Sequence, residues 1–211
     1  MTKAELHQAL LQKMEARCSE LPLCQVPRDI VIGKGNLDAD IMFIGEAPGE
    51  NEAIQRVPFV GRGGQLLNRT LESHAGIRRE DCYVSNIVKV RPPGNRDPLP
   101  EEIAAFLPFL QEEIAFIQPK IFVTLGRFSL NFFLPQAKIS AVHGVLQRFW
   151  WNGEITYLLP QYHPAAALRG TGVLQAFQAD IAKIPKALEW VQQQKLHDSE
   201  LQKVKEAFID A

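Results

Sequence analysis

Ile41-Met42-Phe43-Ile44-Gly45-Glu46-Ala47-Pro48-Gly49 is an unbroken apolar run that enters a turn carrying a carboxylate. A continuous apolar stretch of this length suits a buried strand better than a surface helix. Gly45, Pro48 and Gly49 end the run and let the backbone bend sharply. In an open parallel sheet, ligands collect just beyond the carboxyl ends of the strands. Glu46 therefore stands either in a solvated turn or in a site.

Outward from this strand the pattern alternates. Residues 1–17 read as an amphipathic helix with Leu6, Leu10, Met14 and Leu11 towards one face. A Pro-containing stretch and a short strand at Ile30–Ile32 precede the Ile41–Ile44 strand. Gly63–His74 reads as a helix through Leu66, Leu67 and Leu71, and Cys82–Val88 as a second strand closing on the loop Arg91–Pro98. Pro100–Ile117 is helical in pattern, with a kink or a break expected at Pro108, which lacks an amide hydrogen. Ile121–Leu125 is a third strand, and Gly126 opens the next helix. Val145–Trp151 and Ile155–Leu159 form a hairpin whose Asn152-Gly153 pair favours a type I′ turn. A final helix spans Val173–Gln194, interrupted by Pro185, and Asp198–Ile209 follows as an appended helix. Strands alternating with helices give a parallel sheet covered on both faces.

The 211 residues, 46% of them hydrophobic, are enough for one sizeable core. The division expected is a main domain over 1–195 and an appended C-terminal helix over 196–211. No run of about 18 apolar residues occurs, and Met1–His7 lacks a signal-peptide layout. No membrane association is expected, and the expected location is cytoplasmic. Cys18, Cys24 and Cys82 are sparse and odd in number, so no disulfide framework is implied. The net charge of −1 lends no support to nucleic-acid binding, which must rest on local patches.

Three polar residues share one placement, just past a strand: Glu46, Asn86 at the end of Tyr83–Asn86, and His163 after Tyr157–Tyr162. On one rim, a carboxylate, an amide and an imidazole line a common pocket. An amide sets a donor beside an acceptor, which suits the edge of a nucleobase. Phe59, in the Gly-flanked loop Pro58–Gly61, is either a core anchor or a stacking platform for a flat ring. The cationic loop with Lys89, Arg91, Asn95 and Arg96 is either solvated or holds phosphates, as does Arg169 beyond His163.

At these residues the chain closely resembles the family 4 uracil-DNA glycosylases over about residues 15–190. Gly45–Gly49 with Glu52 is similar to the family's first motif, and Pro58–Gly61 with Gly64–Leu67 to its uracil-stacking segment. Asn86–Pro98 resembles the base-reading strand and DNA-facing loop, and His163–Arg169 the closing motif. The resemblance implies a three-layer α/β/α fold with a four-stranded, mainly parallel central sheet. It implies base flipping and hydrolysis of the N-glycosidic bond of uracil in DNA, the first step of base excision repair. In that scheme Phe59 stacks on the base, Asn86 reads its edge, Glu46 and Ala47 contact it and position water, and His163 stabilises charge on O2. Lys89, Arg91, Asn95, Arg96 and Arg169 face DNA. Uracil-containing DNA is the expected partner, and a monomer the expected state. The competing expectations are a glycosylase of broader base range (hypoxanthine, xanthine, mismatched thymine) and a non-catalytic uracil-DNA-binding relative.

The chain departs from the family in one large respect. The family usually holds an iron–sulfur cluster on four cysteines, and those positions here are Cys18, Leu21, Val90 and Phe106. One thiolate cannot hold a cluster, so neither metal nor cofactor is expected. Ala53 also stands where an acidic residue commonly follows Glu52. The loop Arg91–Pro100 contains no His, which favours turnover over a covalent adduct.

Overall fold

The computed structural model describes residues 1–151 and 153–209, the stretch 197–209 as helix backbone. In chain order the strands are Lys34–Gly35 (β1), Ile41–Gly45 (β2), Tyr83–Asn86 (β3), Ile121–Leu125 (β4), Gln147–Trp151 (β5) and Glu154–Gln161 (β6). The helices are Lys3–Ala16 (α1), Glu50–Gln55 (α2), Arg62–Thr70 (α3), Pro100–Ile117 (α4), Arg127–Phe133 (α5), Ile139–Val142 (α6), Pro164–Ala167 (α7), Thr171–Ile181 (α8) and Ile184–Ile209 (α9).

The run at Ile41–Gly45 is a central strand, buried at all five positions. It pairs in parallel with β3 on one side and β4 on the other, and β6 adds in parallel to β4. The sheet order is β1-β3-β2-β4-β6-β5. The expected four parallel strands are thus flanked by two antiparallel edge strands, β1 and β5, making six.

Alternation along the strands sorts two cores. Met42, Ile44, Tyr83, Phe122 and Leu158 pack with Leu10 and Met14 of α1, Phe106, Phe109 and Leu110 of α4, and Leu130 of α5. Ile41, Phe43, Val84, Val123 and Leu159 pack with Leu66 and Leu67 of α3, Phe177 and Ile181 of α8, and Val191 of α9. Successive side chains of a strand point to opposite faces, so a sheet between two helical layers buries both. The α/β/α expectation holds.

Several local expectations change. Ile30–Ile32 is buried but not a strand; the edge strand begins at Lys34. Val31 N–H donates to Lys89 O at 2.7 Å, so the segment is held by an isolated bond without a ladder. Helix α4 runs through Pro108 as one element. Ala104, whose carbonyl loses its partner, and Pro108 itself are both exposed, so the lost bond lies on the solvent side of the helix. The interruption expected near Pro185 is present: α8 ends at Ile181 and α9 starts at Ile184, with Pro185 in its first turn, where a missing amide hydrogen costs little. The break expected before Asp198 is not, and α9 runs on to Ile209. Asn152 of the hairpin turn lies outside the described residues; Gly153 has φ +86°.

The cysteine expectation needs correction. Cys18 and Cys24 form a disulfide, their Cα atoms 5.3 Å apart. The cause is local: a 3₁₀ turn at Cys18–Glu20, then Leu23 with φ +69°, folds the chain back on itself. Cys82 is a buried free thiol, pushed up to about 12 by desolvation. No helix among the described residues is long and apolar enough to cross a membrane.

Candidate active site

The carboxyl rim of the parallel strands opens into a cleft of about 650 Å³. Its floor is set by strand register. Gly45 lies opposite Asn86, so the end of β2 and the end of β3 present one face side by side. A Cβ on Gly45 would stand 2.4 Å from Asn86 Oδ1 and 2.5 Å from Phe59 Cζ. Only a bare backbone lets the amide and the ring come this close. Asn86 is buried, and its Oδ1 has no hydrogen-bond partner within the protein. A buried acceptor without a donor costs free energy that a ligand N–H recovers.

Phe59 adopts φ +58°, a left-handed conformation unfavourable for a bulky residue and costing about 1–3 kcal/mol. The surrounding loop holds it there: Gly61 N–H donates to Glu52 Oε1 at 2.8 Å. The Phe59 ring lies 6.0 Å from the His163 ring, tilted by 41°. Phe59 is thus both a core residue, 6% exposed, and a wall of the cleft.

His163 caps α7, accepting from Ala165 N–H on Nδ1 at 3.1 Å. Burial, with the charge of Arg169 adding to it, pulls its pKa down to about 4. At neutral pH the ring is uncharged, and with Nδ1 accepting, the proton sits on Nε2. Gly126, at φ +95°, brings the start of α5 against the ring: a Cβ there would lie 3.0 Å from His163 Cβ.

Glu46 and Ala47 form the remaining wall. The turn is tied to the chain after β3, Ile87 N–H donating to Gly45 O and Val88 N–H to Glu46 O, both at 3.0 Å. Desolvation, reinforced by the charge of Asp97 and partly offset by Arg127, raises the Glu46 pKa to about 7. A carboxylate poised there exchanges protons near working pH.

Of the residues expected to face DNA, Asn95, Arg96 and Arg169 line the mouth. Arg96 is clamped by Glu102 through two bonds of 2.6 and 2.9 Å. Arg91 is half-buried, donating to Asn95 Oδ1 at 2.8 Å. Lys89 is a correction. It is fully buried and paired with Glu113 beneath the sheet, so it cannot reach DNA. The segment after β3 turns its side chain inward, a direction that charge counting along the sequence does not register. Arg62 and Arg127 also line the mouth and escaped sequence reasoning. Arg127 pairs with Asp97; its one signal was Gly126, the helix opener beside it.

The donor set for an iron–sulfur cluster does not fit. Cys18 is bonded to Cys24, and Leu21, Val90 and Phe106 belong to the apolar core beside α1 and α4. Carbon side chains cannot ligate iron.

These features define a class: an α/β/α domain whose sheet rim brings an aromatic, an amide and a neutral imidazole together around one cleft. Residues 32–189 match the uracil DNA glycosylase superfamily, and the chain belongs to that family. It is 42% identical over 177 residues to the type-4 uracil-DNA glycosylase of Saccharolobus solfataricus, covering 82% of each chain. It is 42% identical over 168 residues to that of Thermotoga maritima, covering 80% of this chain and 86% of the other. With the Sulfurisphaera tokodaii enzyme of the same name it shares 39% over 172 residues, covering 79% and 78%.

Proposed function

We propose that this protein is a monofunctional uracil-DNA glycosylase, acting as a cytoplasmic monomer on uracil-containing DNA. It hydrolyses the N-glycosidic bond of deoxyuridine, releasing uracil and leaving an abasic site. The observation that carries this reading is the buried, unpartnered Oδ1 of Asn86 beside the Phe59 ring. Such an acceptor, aimed at a flat ring, fits the N3–H of uracil.

A duplex base must leave the stack to reach the cleft, at a cost of a few kcal/mol that the arginine-lined mouth and the pocket offset. Phe59 supports the ring of the extruded base and Asn86 reads its edge. As the C1′–N1 bond breaks, the electron pair moves onto the base, and its charge spreads to O2. The Nε2–H of His163 donates there, an interaction stronger in the transition state than in the ground state. Water attacks C1′, positioned by the Glu46–Ala47 turn, and its proton passes to the Glu46 carboxylate. No lysine among the described residues lines the cleft, and the reading therefore assigns no amine to lyase chemistry. The reading includes no iron–sulfur cluster, supported by the misfit of the donor set.

The test is an abasic-site assay on a uracil-containing oligonucleotide, with hypoxanthine, xanthine and T·G substrates alongside. Alkali-labile product with uracil, and little with the others, is expected. Retained uracil binding without cleavage would sink the enzyme claim.

A further inference from the structure

Beneath the sheet, on the face opposite the cleft, a charged cluster is sealed from solvent. Glu113 of α4 and Lys89 are both fully buried and ion-paired. Glu113 Oε1 accepts from Gly33 N–H at 2.7 Å and from Tyr83 O–H at 3.1 Å. Its Oε2 accepts from Ser85 O–H at 2.7 Å and from Lys89 Nζ, and Lys89 Nζ also donates to Ser85 Oγ at 2.6 Å. Buried ion pairs seldom stabilise a fold more than well-packed apolar residues would. What they do supply is direction.

The cluster grips the two segments that carry the site. Tyr83 and Ser85 point from β3 towards α4, so the intervening and following residues, Val84 and Asn86, point the other way. Fixing Ser85 fixes the direction of the Asn86 amide. Past the strand, Ile87 and Val88 hold the carbonyls of Gly45 and Glu46, and Lys89 O accepts from Val31 N–H. Lys89 thus anchors the chain that carries the Glu46 turn. An apolar contact would permit sliding along the strand axis; a carboxylate with four donors does not.

We propose that Lys89, Glu113 and Ser85 are positioning residues, which set the Asn86 amide and the Glu46 turn in one register within the cleft. The proposal rests on the glycosylase reading of that cleft.

The decisive variant is Lys89→Met with Glu113→Gln, which removes both charges together at nearly constant volume. It is expected to stay folded and to bind DNA within about three-fold of the parent, because no mouth residue changes. Single-turnover uracil release should fall by about 20-fold or more, since misplacement on the order of 1 Å costs roughly 100-fold. Ser85→Ala, which removes one donor and leaves the ion pair, should lose roughly three- to ten-fold in the same step, again with DNA affinity held. A folded double variant releasing uracil at the parental rate would overturn the proposal. Should the double variant not fold, a parental rate for Ser85→Ala overturns it instead. Titration of free uracil against the Asn86 side-chain amide resonance separates the two readings. If the parent binds uracil but releases none, the enzyme reading fails, and weaker binding by the variants still supports positioning. If the parent does not bind uracil, both fail.

Discussion

His163 is uncharged at neutral pH. Its pKa of about 4 and its bond from Ala165 N–H leave Nε2 as a fixed donor at neutral pH. His163→Ala should lower single-turnover uracil release by about 100- to 1,000-fold, as loss of one transition-state donor does, with DNA affinity within a few-fold. A variant that keeps the full rate would remove His163 from this role. Asn86→Ala should reduce rate and uracil selectivity together, by about 100-fold or more, because the site then lacks its acceptor for a buried N–H. Competition between uracil- and cytosine-containing substrates measures this. Glu46 gives the pH dependence. With its pKa raised to about 7, activity should rise as pH climbs through 7, and Glu46→Gln should abolish that limb. Stability runs the opposite way. A carboxyl whose folded pKa exceeds its ordinary 4.5 contributes fully below pH 4.5, and that contribution is lost as pH rises through about 7. Glu46→Gln should therefore be more stable than the parent at pH 8, on the order of 1–3 kcal/mol by chemical denaturation. For His163 the folded pKa lies below the ordinary 6.5, so its contribution is present above 6.5 and lost as pH falls through about 4.

At the scale of elements, the end of β2 determines the pocket. Gly45→Ala should push the Phe59 ring and the Asn86 amide apart, because the new methyl group has no room between them. A loss of uracil binding larger than the loss of thermal stability is the expected result, read by calorimetry on the same sample. This strand was legible because both its faces are buried, which leaves a continuous apolar run with turn formers at its end. The rim residues Glu46, Asn86 and His163 were legible as a set for the same reason: each follows such a run. Lys89 was not. A lysine in a cationic loop looks solvated, and only the fold shows Glu113 reaching it from 24 residues away. Arg127 and Arg62 were missed because each reaches the mouth from a helix start, with no neighbouring charge to mark it. The Cys18–Cys24 pair escaped because a tight turn, unseen in residue counts, brings the two together.

Across the whole molecule, one sheet with two cores carries a site on its carboxyl rim and a polar brace on the α4 side of β3. The four parallel strands followed from the alternation of apolar runs and helices. Of the two edge strands, β5 was legible through its hairpin with β6, whereas β1 was not, because it is only two residues long. Leu21, Val90 and Phe106, at the positions the resemblance assigns to cluster cysteines, belong to one apolar core. The purified protein should accordingly show no absorbance band near about 400 nm and no stoichiometric iron, since a Cys₄ ligand set is missing. Stoichiometric iron would contradict that part of the account. The central claim is that Asn86, Phe59, Glu46 and His163 form a uracil pocket that turns over. Single-turnover release of uracil from a uracil-containing duplex, parent against Asn86→Ala, tests it most directly. The account predicts rapid release by the parent and at least about 100-fold slower release by the variant, for want of a paired base edge. Equal rates, or no release by a parent that binds the same duplex, would contradict it.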